Sequence, residues 1–231
     1  MARQRILYID LLKGLSITWV VWFHTIHPAF VDYSFRMPLF FLASAIFFKP
    51  YPVREFAEKK LYQMIIPFVV FYLIYYGFMI VTSAISSGNF YNFNYSCLWD
   101  VFKPYNMNGG PSVNPPLWFI MALLNLQILL YASVKLIRKR IVLMILSFAI
   151  SVYALLYMFE VYTYFQFGRA LRFFCYYVFG YLYGRDIIKI IEGGQRDSKV
   201  LFAVCAGVFV VALGIKQIFV FTVCHEVVDY F

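Results

Sequence analysis

The chain has 231 residues, of which 63% are hydrophobic, 22% aromatic and only 13% charged, with a net charge of +9. A soluble domain is about half apolar and about a quarter charged, so this chain cannot cover itself with polar surface. That excludes a disordered chain, a secreted disulfide scaffold and a nucleic-acid-binding domain, and leaves the basic excess to be read as the loops that set membrane orientation.

Taken in order, the apolar stretches are residues 15–30, 37–48, 61–85, 115–134, 141–159, 171–184 and 200–223. The first follows a basic start, MARQRILYIDLLKGLS, which resembles a signal peptide. Asp10 and Lys13 interrupt its lead-in and no small-residue cleavage site follows, so it reads as an uncleaved first span. The second stretch, MPLFFLASAIFF, has twelve residues where a span needs about 20, unless residues 32–37 are counted with it. Charge arbitrates. With seven spans and a cytoplasmic N-terminus, 15 of the 20 Lys and Arg residues fall inside, four (Arg36, Lys103, Arg169 and Arg172) fall outside, and Lys216 lies within the last span. If the second stretch does not cross, the count becomes 6 inside against 13 outside. The acidic residues are divided six and five, as the rule allows. The expectation is therefore an all-α, polytopic transmembrane helical bundle of about seven spans, one domain over 1–231, multi-pass in the plasma membrane.

One loop, residues 86–115, is long and rich in Asn, Gly, Pro, Tyr and Trp. It reads either as a loose connector or as a lid whose aromatic faces and amides suit a sugar. The four cysteines (Cys97, Cys175, Cys205 and Cys224) form no CxxC pair and no metal-ligand spacing, so no metal is expected.

The first span carries the most chemistry. Lys13 and His24 are eleven residues apart. That is about 20° from three full turns, on one helix face, with a rise of roughly 16 Å. Asp10 lies on the same side as Lys13 and can pair with it. An ionisable group inside a span is costly, which makes His24 a candidate base with an ordinary pKa near 6.5. The alternative is a neutral histidine hydrogen-bonded between helices. His27 precedes Pro28 near the outer edge and reads as interfacial. With His225 the third and last histidine, the set is too small for two haems or a closed zinc site.

The run RILYIDLLKGLSITWVVWFH resembles the opening of the membrane-bound acyltransferase 3 family, whose mark is a basic residue, ten intervening residues and a histidine. RMPLFFLASAIFF, FAEKKLYQMIIPF, PPLWFIMALL and FCYYVFGYLYGR resemble its later segments in the same order, from Arg5 to about Arg185. Among relatives the chain looks nearest to fucose 4-O-acetylase-like sugar O-acetyltransferases. Ala45 stands where glycine is usual, and relatives are commonly longer, so the chain is expected to be short at its C-terminal end.

The resemblance implies transfer of an acetyl group from cytosolic acetyl-CoA, the co-substrate, to a sugar hydroxyl of a surface polysaccharide or its lipid-linked precursor. On that reading Lys13 holds the CoA head, helped by Arg54, Lys59 and Lys60, and His24 takes the proton of the acceptor hydroxyl. Arg54, Lys59 and Lys60 read equally as plain positive-inside residues. Arg169 and Arg172 share a helix face and can bind an acidic acceptor or steady the oxyanion, while Trp118 stacks on sugar or serves the aromatic belt. Implied partners are membrane lipid and a glycan or lipid-linked glycan; nucleic acid is not among them, and the oligomeric state is left open. Two other readings stand beside this one. The first is a transporter or flippase for an acyl or glycan substrate; the second is an inactive, truncated relative.

Overall fold

The computed structural model describes residues 36–193 except 91, 92, 107, 108, 114 and 159, together with Leu11, Gly14, Leu15 and Thr18. The chain divides into two compact units, residues 1–184 and 185–231. Every regular element among the described residues is helical, and the only β pairing among them is an isolated bridge between Tyr105 and Thr163.

Helix α1 (Arg36–Ala45) has ten residues. At 1.5 Å per residue it is about 15 Å long, half a bilayer core. Residues 32–35, which the second expected span would need, lie outside the described residues. Helix α2 (Val53–Lys60) starts after Pro52 and is polar, with Glu55 in its first turn and Lys59 and Lys60 in its last. It runs through a π-helical turn, Leu61–Ile65, into α3 (Ile66–Ser87). The π-turn has a local cause. Pro67 has no amide hydrogen and its ring crowds the carbonyl four residues back, and the wider turn, with Ile66 N–H on the Leu61 carbonyl, absorbs both faults. Gly88, at φ 72° in the left-handed region, ends α3.

Helices α4 (Trp118–Leu136) and α5 (Arg140–Tyr157) are joined by the short segment 137–139, which holds Arg138 and Lys139. Helix α6 (Phe167–Gly193) follows the short turn Tyr164–Gln166. The Val53–Ser87 segment, α4 and α5 are each long and apolar enough to cross a membrane. The outward faces of α3 and α5 agree with that. Phe71, Ile74, Phe78 and Ile85 on α3, and Ile141, Ile145, Phe148 and Leu156 on α5, are exposed, as side chains facing hydrocarbon would be.

The core lies where α1, α2, α4 and α6 meet. Phe41, Ala45, Phe56, Ala122, Leu126, Leu130, Ala170, Phe174, Tyr177 and Val178 are buried there. Their spacing of four along α4 and along α6 supplies one packed ridge from each helix. Small residues bring the backbones together. A β-carbon added at Gly180 on α6 would run into the Leu42 carbonyl of α1, and one at Gly184 would meet the Ile46 side chain. Between lipid-covered helices such close packing is a main source of association, because burial of apolar surface is worth little there. Helices α5 and α6 are joined by a hydrogen-bonded serine: the Ser151 hydroxyl donates to the Leu171 carbonyl at 3.0 Å and accepts from Cys175 N–H at 3.0 Å.

The long loop is folded in its described residues. Tyr95–Phe102 forms a 3-10 helix capped by the Asn94 side chain. The Tyr72 hydroxyl on α3 donates to the Cys97 and Leu98 carbonyls, and the Tyr76 hydroxyl to the Tyr95 carbonyl. The Tyr105–Thr163 bridge then ties the loop to the segment before α6.

Candidate active site

The described candidates occupy the two ends of α4. At its first residue, Trp118, the Arg169 guanidinium sits 4.3 Å above the indole ring. A cation over an indole face is favourable and fixes the guanidinium against the ring. Arg172, one turn further on α6, lies 5.7 Å from the Phe173 ring, and both arginines are half-buried. The structure thus brings Trp118 and Arg169 into direct contact, with Arg172 on the same helix face.

The turn leading to this end is strained. Phe165 and Gln166 are consecutive non-glycine residues with φ of 51° and 62°. Each such conformation costs about 1–3 kcal/mol and persists only when its surroundings hold it. Here Asn125 on α4 donates to the Phe165 carbonyl at 2.7 Å, and the Gln166 amide group reaches the Gly109 carbonyl at 3.4 Å. Gln166 is only 3% exposed, and its Oε1 has no hydrogen-bond partner among the described residues. Below the turn, α3, α4 and the 3-10 helix enclose an apolar groove of about 600 Å³, with Trp99, Phe102, Asn125 and Phe165 among its walls.

Asp100 holds the loop together on this side. Burial raises the pKa of its carboxyl, but hydrogen bonds from Lys103 and Ser112 outweigh burial and hold it below the ordinary carboxylate value. Lys103 Nζ is 2.7 Å from Oδ1, the Ser112 hydroxyl donates to Oδ2, and the Tyr105 hydroxyl donates to the Asp100 carbonyl at 2.9 Å. Burial also pushes up the Cys97 thiol and the Tyr105 phenol.

The other end of α4 is cationic and aromatic. Lys59 pairs with Glu55 at 2.7 Å and lies 3.3 Å over the Tyr51 ring. Arg54 pairs with Glu58 at 3.0 Å with its side chain 92% exposed, which makes it a solvated surface pair. Lys60, by contrast, has no carboxylate partner among the described residues and lies 5.2 Å over the Phe56 ring. Phe56 stacks on Tyr131 of α4 at 4.4 Å, and Lys135 lies 4.5 Å over Tyr131. Of the two lysines on α2, Lys60 is therefore the one left to meet an anion, and Lys135, which the sequence reading passed over, is near it.

The other two candidates, Lys13 and His24, lie outside the described residues, as do Asp10, His27 and Asp32. No group of three His, Cys, Asp or Glu side chains among the described residues is placed to hold a metal ion.

A family model described as an acyltransferase domain matches residues 6–227, nearly the whole chain. The chain belongs to the acyltransferase 3 family. No curated protein and no solved structure matches it. Within this membrane acyltransferase, the matched region includes both ends of α4 and the segment carrying Lys13 and His24.

Three further side chains between the two ends of α4 were invisible to composition. Gln127, Tyr131 and Tyr177 each place a polar atom in the core with no hydrogen-bond partner among the described residues. The signal was present in register alone, since Gln127, Tyr131 and Lys135 are spaced four apart along α4.

Proposed function

We propose that the chain is a sugar O-acetyltransferase of the plasma membrane, of about seven spans with a cytoplasmic N-terminus, similar in specificity to the fucose 4-O-acetylases. Acetyl-CoA is the donor, and the acceptor is a hydroxyl of a surface polysaccharide or its lipid-linked precursor. The observation that carries this reading, beyond family membership, is the opposed chemistry of the two ends of α4. The Trp118–Arg169 pair, with Arg172 one turn further on α6, brings an indole and two guanidinium groups together at one end of the helix, a combination of aromatic and cationic chemistry suited to a sugar or an acidic sugar. About 26 Å away along the helix, at 1.5 Å per residue, Lys135 and Lys60 offer cations suited to phosphates. A donor head on one side of the bilayer and an acceptor on the other would need this separation.

The roles follow from the chemistry. Lys13 and Lys60 hold the phosphates of the CoA head, and Lys59 adds to them only by exchanging Glu55 for a phosphate oxygen; Trp118, Arg169 and Arg172 hold the acceptor. His24 removes the proton from the acceptor hydroxyl as its oxygen attacks the thioester carbonyl carbon. The tetrahedral intermediate collapses with cleavage of the C–S bond, and the CoA thiolate takes the proton back from the imidazolium. The products are the acetyl ester and free CoA.

An acceptor-independent experiment tests the reading. Purified protein is assayed for acetyl-CoA binding and for slow loss of the acetyl group to water. Wild type binds and turns over slowly; Lys13→Ala binds weakly. His24→Ala binds normally but loses turnover by about 10²–10⁴-fold, the usual worth of a general base. Failure of folded wild type to bind acetyl-CoA overturns the donor assignment. Movement of a substrate across the membrane with no acetyl transfer would favour a transporter instead.

A further inference from the structure

We propose that the Gln127–Tyr131–Lys135 ladder of α4, faced by Tyr177 of α6 and Lys60 of α2, is the seat of the donor's phosphopantetheine arm. The inference rests on the acyl-CoA reading above and adds the path the donor takes between the phosphates and the reacting carbon.

The ladder is built from side chains whose needs the protein does not meet. Tyr177 is fully buried and its hydroxyl approaches the Gln127 side chain without closing a hydrogen bond of normal geometry, and neither that hydroxyl nor Gln127 Oε1 has another partner among the described residues. The Tyr131 hydroxyl is in the same condition one turn along α4. Leaving a buried polar atom unpaired is costly, and such atoms are few in folded proteins. Three together on two facing helices, in a region otherwise lined by Phe41, Leu126, Leu130 and Phe174, call for an outside partner.

The geometry of the ladder narrows the ligand. Its polar end is cationic, with Lys60 and Lys135 above the stacked Phe56 and Tyr131 rings at 5.2 and 4.5 Å. From Lys135 the ladder climbs eight residues, about 12 Å, to Gln127. Phe48, 6.4 Å from Tyr177 and 6.2 Å from Phe56, closes one side with aromatic faces. A ligand matching this run is anionic at one end and continues as a thin chain with a few hydrogen-bonding groups. Phosphopantetheine fits: its phosphate meets the lysines, and its hydroxyl and two amides supply donors to Gln127 Oε1 and to the two tyrosine oxygens. A free fatty acid would satisfy the cations but leave the upper atoms unpaired. A glycan would need more partners than the ladder offers.

Binding to the full chain in lipid nanodiscs tests the assignment, with CoA and adenosine 3′,5′-bisphosphate as probes, because the second has the nucleotide head without the arm. Gln127→Leu and Tyr177→Phe each weaken CoA by about three- to tenfold, the worth of one hydrogen bond, and leave the bisphosphate unchanged. Lys135→Ala weakens both probes. Tyr131→Phe serves as an additional, conservative variant should Gln127→Leu fail to fold. Thermal unfolding separates a ligand site from a structural pair: Tyr177→Phe keeps or raises the apo melting temperature while shrinking the upward shift that CoA produces. Unchanged CoA affinity in Gln127→Leu and Tyr177→Phe overturns this path and leaves the donor reading intact. Absence of CoA binding in folded wild type overturns both. A lower apo melting temperature in Tyr177→Phe with an undiminished CoA shift makes the pair structural and overturns the proposal.

Discussion

The loop around Asp100 and the seam between α4 and α6 are both polar regions inside apolar surroundings, and they settle their hydrogen bonds in opposite ways. The Asp100 carboxylate, 12% exposed, takes bonds from Lys103 and Ser112, and its carbonyl takes one from Tyr105. In the seam, Gln127 Oε1 and the Tyr131 and Tyr177 hydroxyls receive nothing from the described residues. A network closed on itself holds a fold together; one left open costs stability until something else closes it. The difference teaches that burial of polar atoms does not by itself distinguish scaffold from site. Whether the bonds are closed does. The same substitution, polar to apolar, should therefore have opposite signs in the two regions.

The largest effect is expected where the seam is framed, at Gly180. A β-carbon there meets the Leu42 backbone carbonyl, which cannot turn aside as a side chain can. Gly180→Ala should destabilise the protein by about 1–3 kcal/mol, the usual cost of overpacking. Gly184→Ala, which meets only the Ile46 side chain, should cost less. Thermal unfolding in one detergent compares them; equal losses would mean that α1 and α6 are not held at backbone contact.

Next comes the closed network. Asp100→Ala removes the acceptor of the Ser112 hydroxyl and the Lys103 ammonium, both of which water can then reach, and should cost about 1 kcal/mol, with protection of the loop amides falling first. If hydrogen exchange in the loop is unaltered, Asp100 is not what pins it.

Much of the helical plan was legible in the sequence because apolar runs report spans directly. The stretches expected at 61–85, 115–134 and 141–159 correspond to α3, α4 and α5, and each contributes to a membrane-capable segment. The stretch at 171–184 marks only the middle of α6, which runs Phe167–Gly193. Its ends hold Arg169, Arg185, Asp186 and Lys189, and a search for apolar runs stops at charges although a helix does not. The π-turn before Pro67 and the left-handed pair at Phe165 and Gln166 left no such trace, since both depend on what the neighbouring elements impose. At the site, the pairing of Lys59 was readable from Glu55 four residues earlier, whereas the meeting of Trp118 with Arg169, 51 positions apart, was a matter of tertiary packing. Gln127 was missed because one amide among nineteen mostly apolar residues hardly changes a composition.

A titration sharpens the comparison further. The Asp100 carboxyl is held below its ordinary value in the folded loop, so its contribution is fully present above the unfolded-state value near 3.8. As the pH falls through the lower folded-state value, the carboxylate is protonated and that contribution is lost. Loop protection, followed by hydrogen exchange, should therefore decline only below about pH 4 in wild type. In Asp100→Asn this acid-dependent part should vanish. A loop whose protection falls equally with acid in both proteins would assign the linkage to some other group.

The smallest effect carries the opposite sign and decides the comparison. Tyr177→Phe removes a hydroxyl that receives no hydrogen bond among the described residues and keeps the ring that packs on Phe48 at 6.4 Å. Deleting a satisfied hydroxyl from a core costs about 1 kcal/mol; deleting an unsatisfied one removes its desolvation penalty and should leave the apo protein unchanged or up to about 1 kcal/mol more stable. The matched control is Tyr72→Phe, which removes a hydroxyl bonded to the Cys97 and Leu98 carbonyls and should destabilise. Both changes delete one oxygen from a buried tyrosine, so helix propensity and volume nearly cancel between them. If both variants lose stability equally, the seam is closed in solution by a group the two regions share, such as water, and the distinction between them fails. If Tyr72→Phe loses and Tyr177→Phe does not, the hydroxyl at Tyr177 is kept for a purpose other than folding.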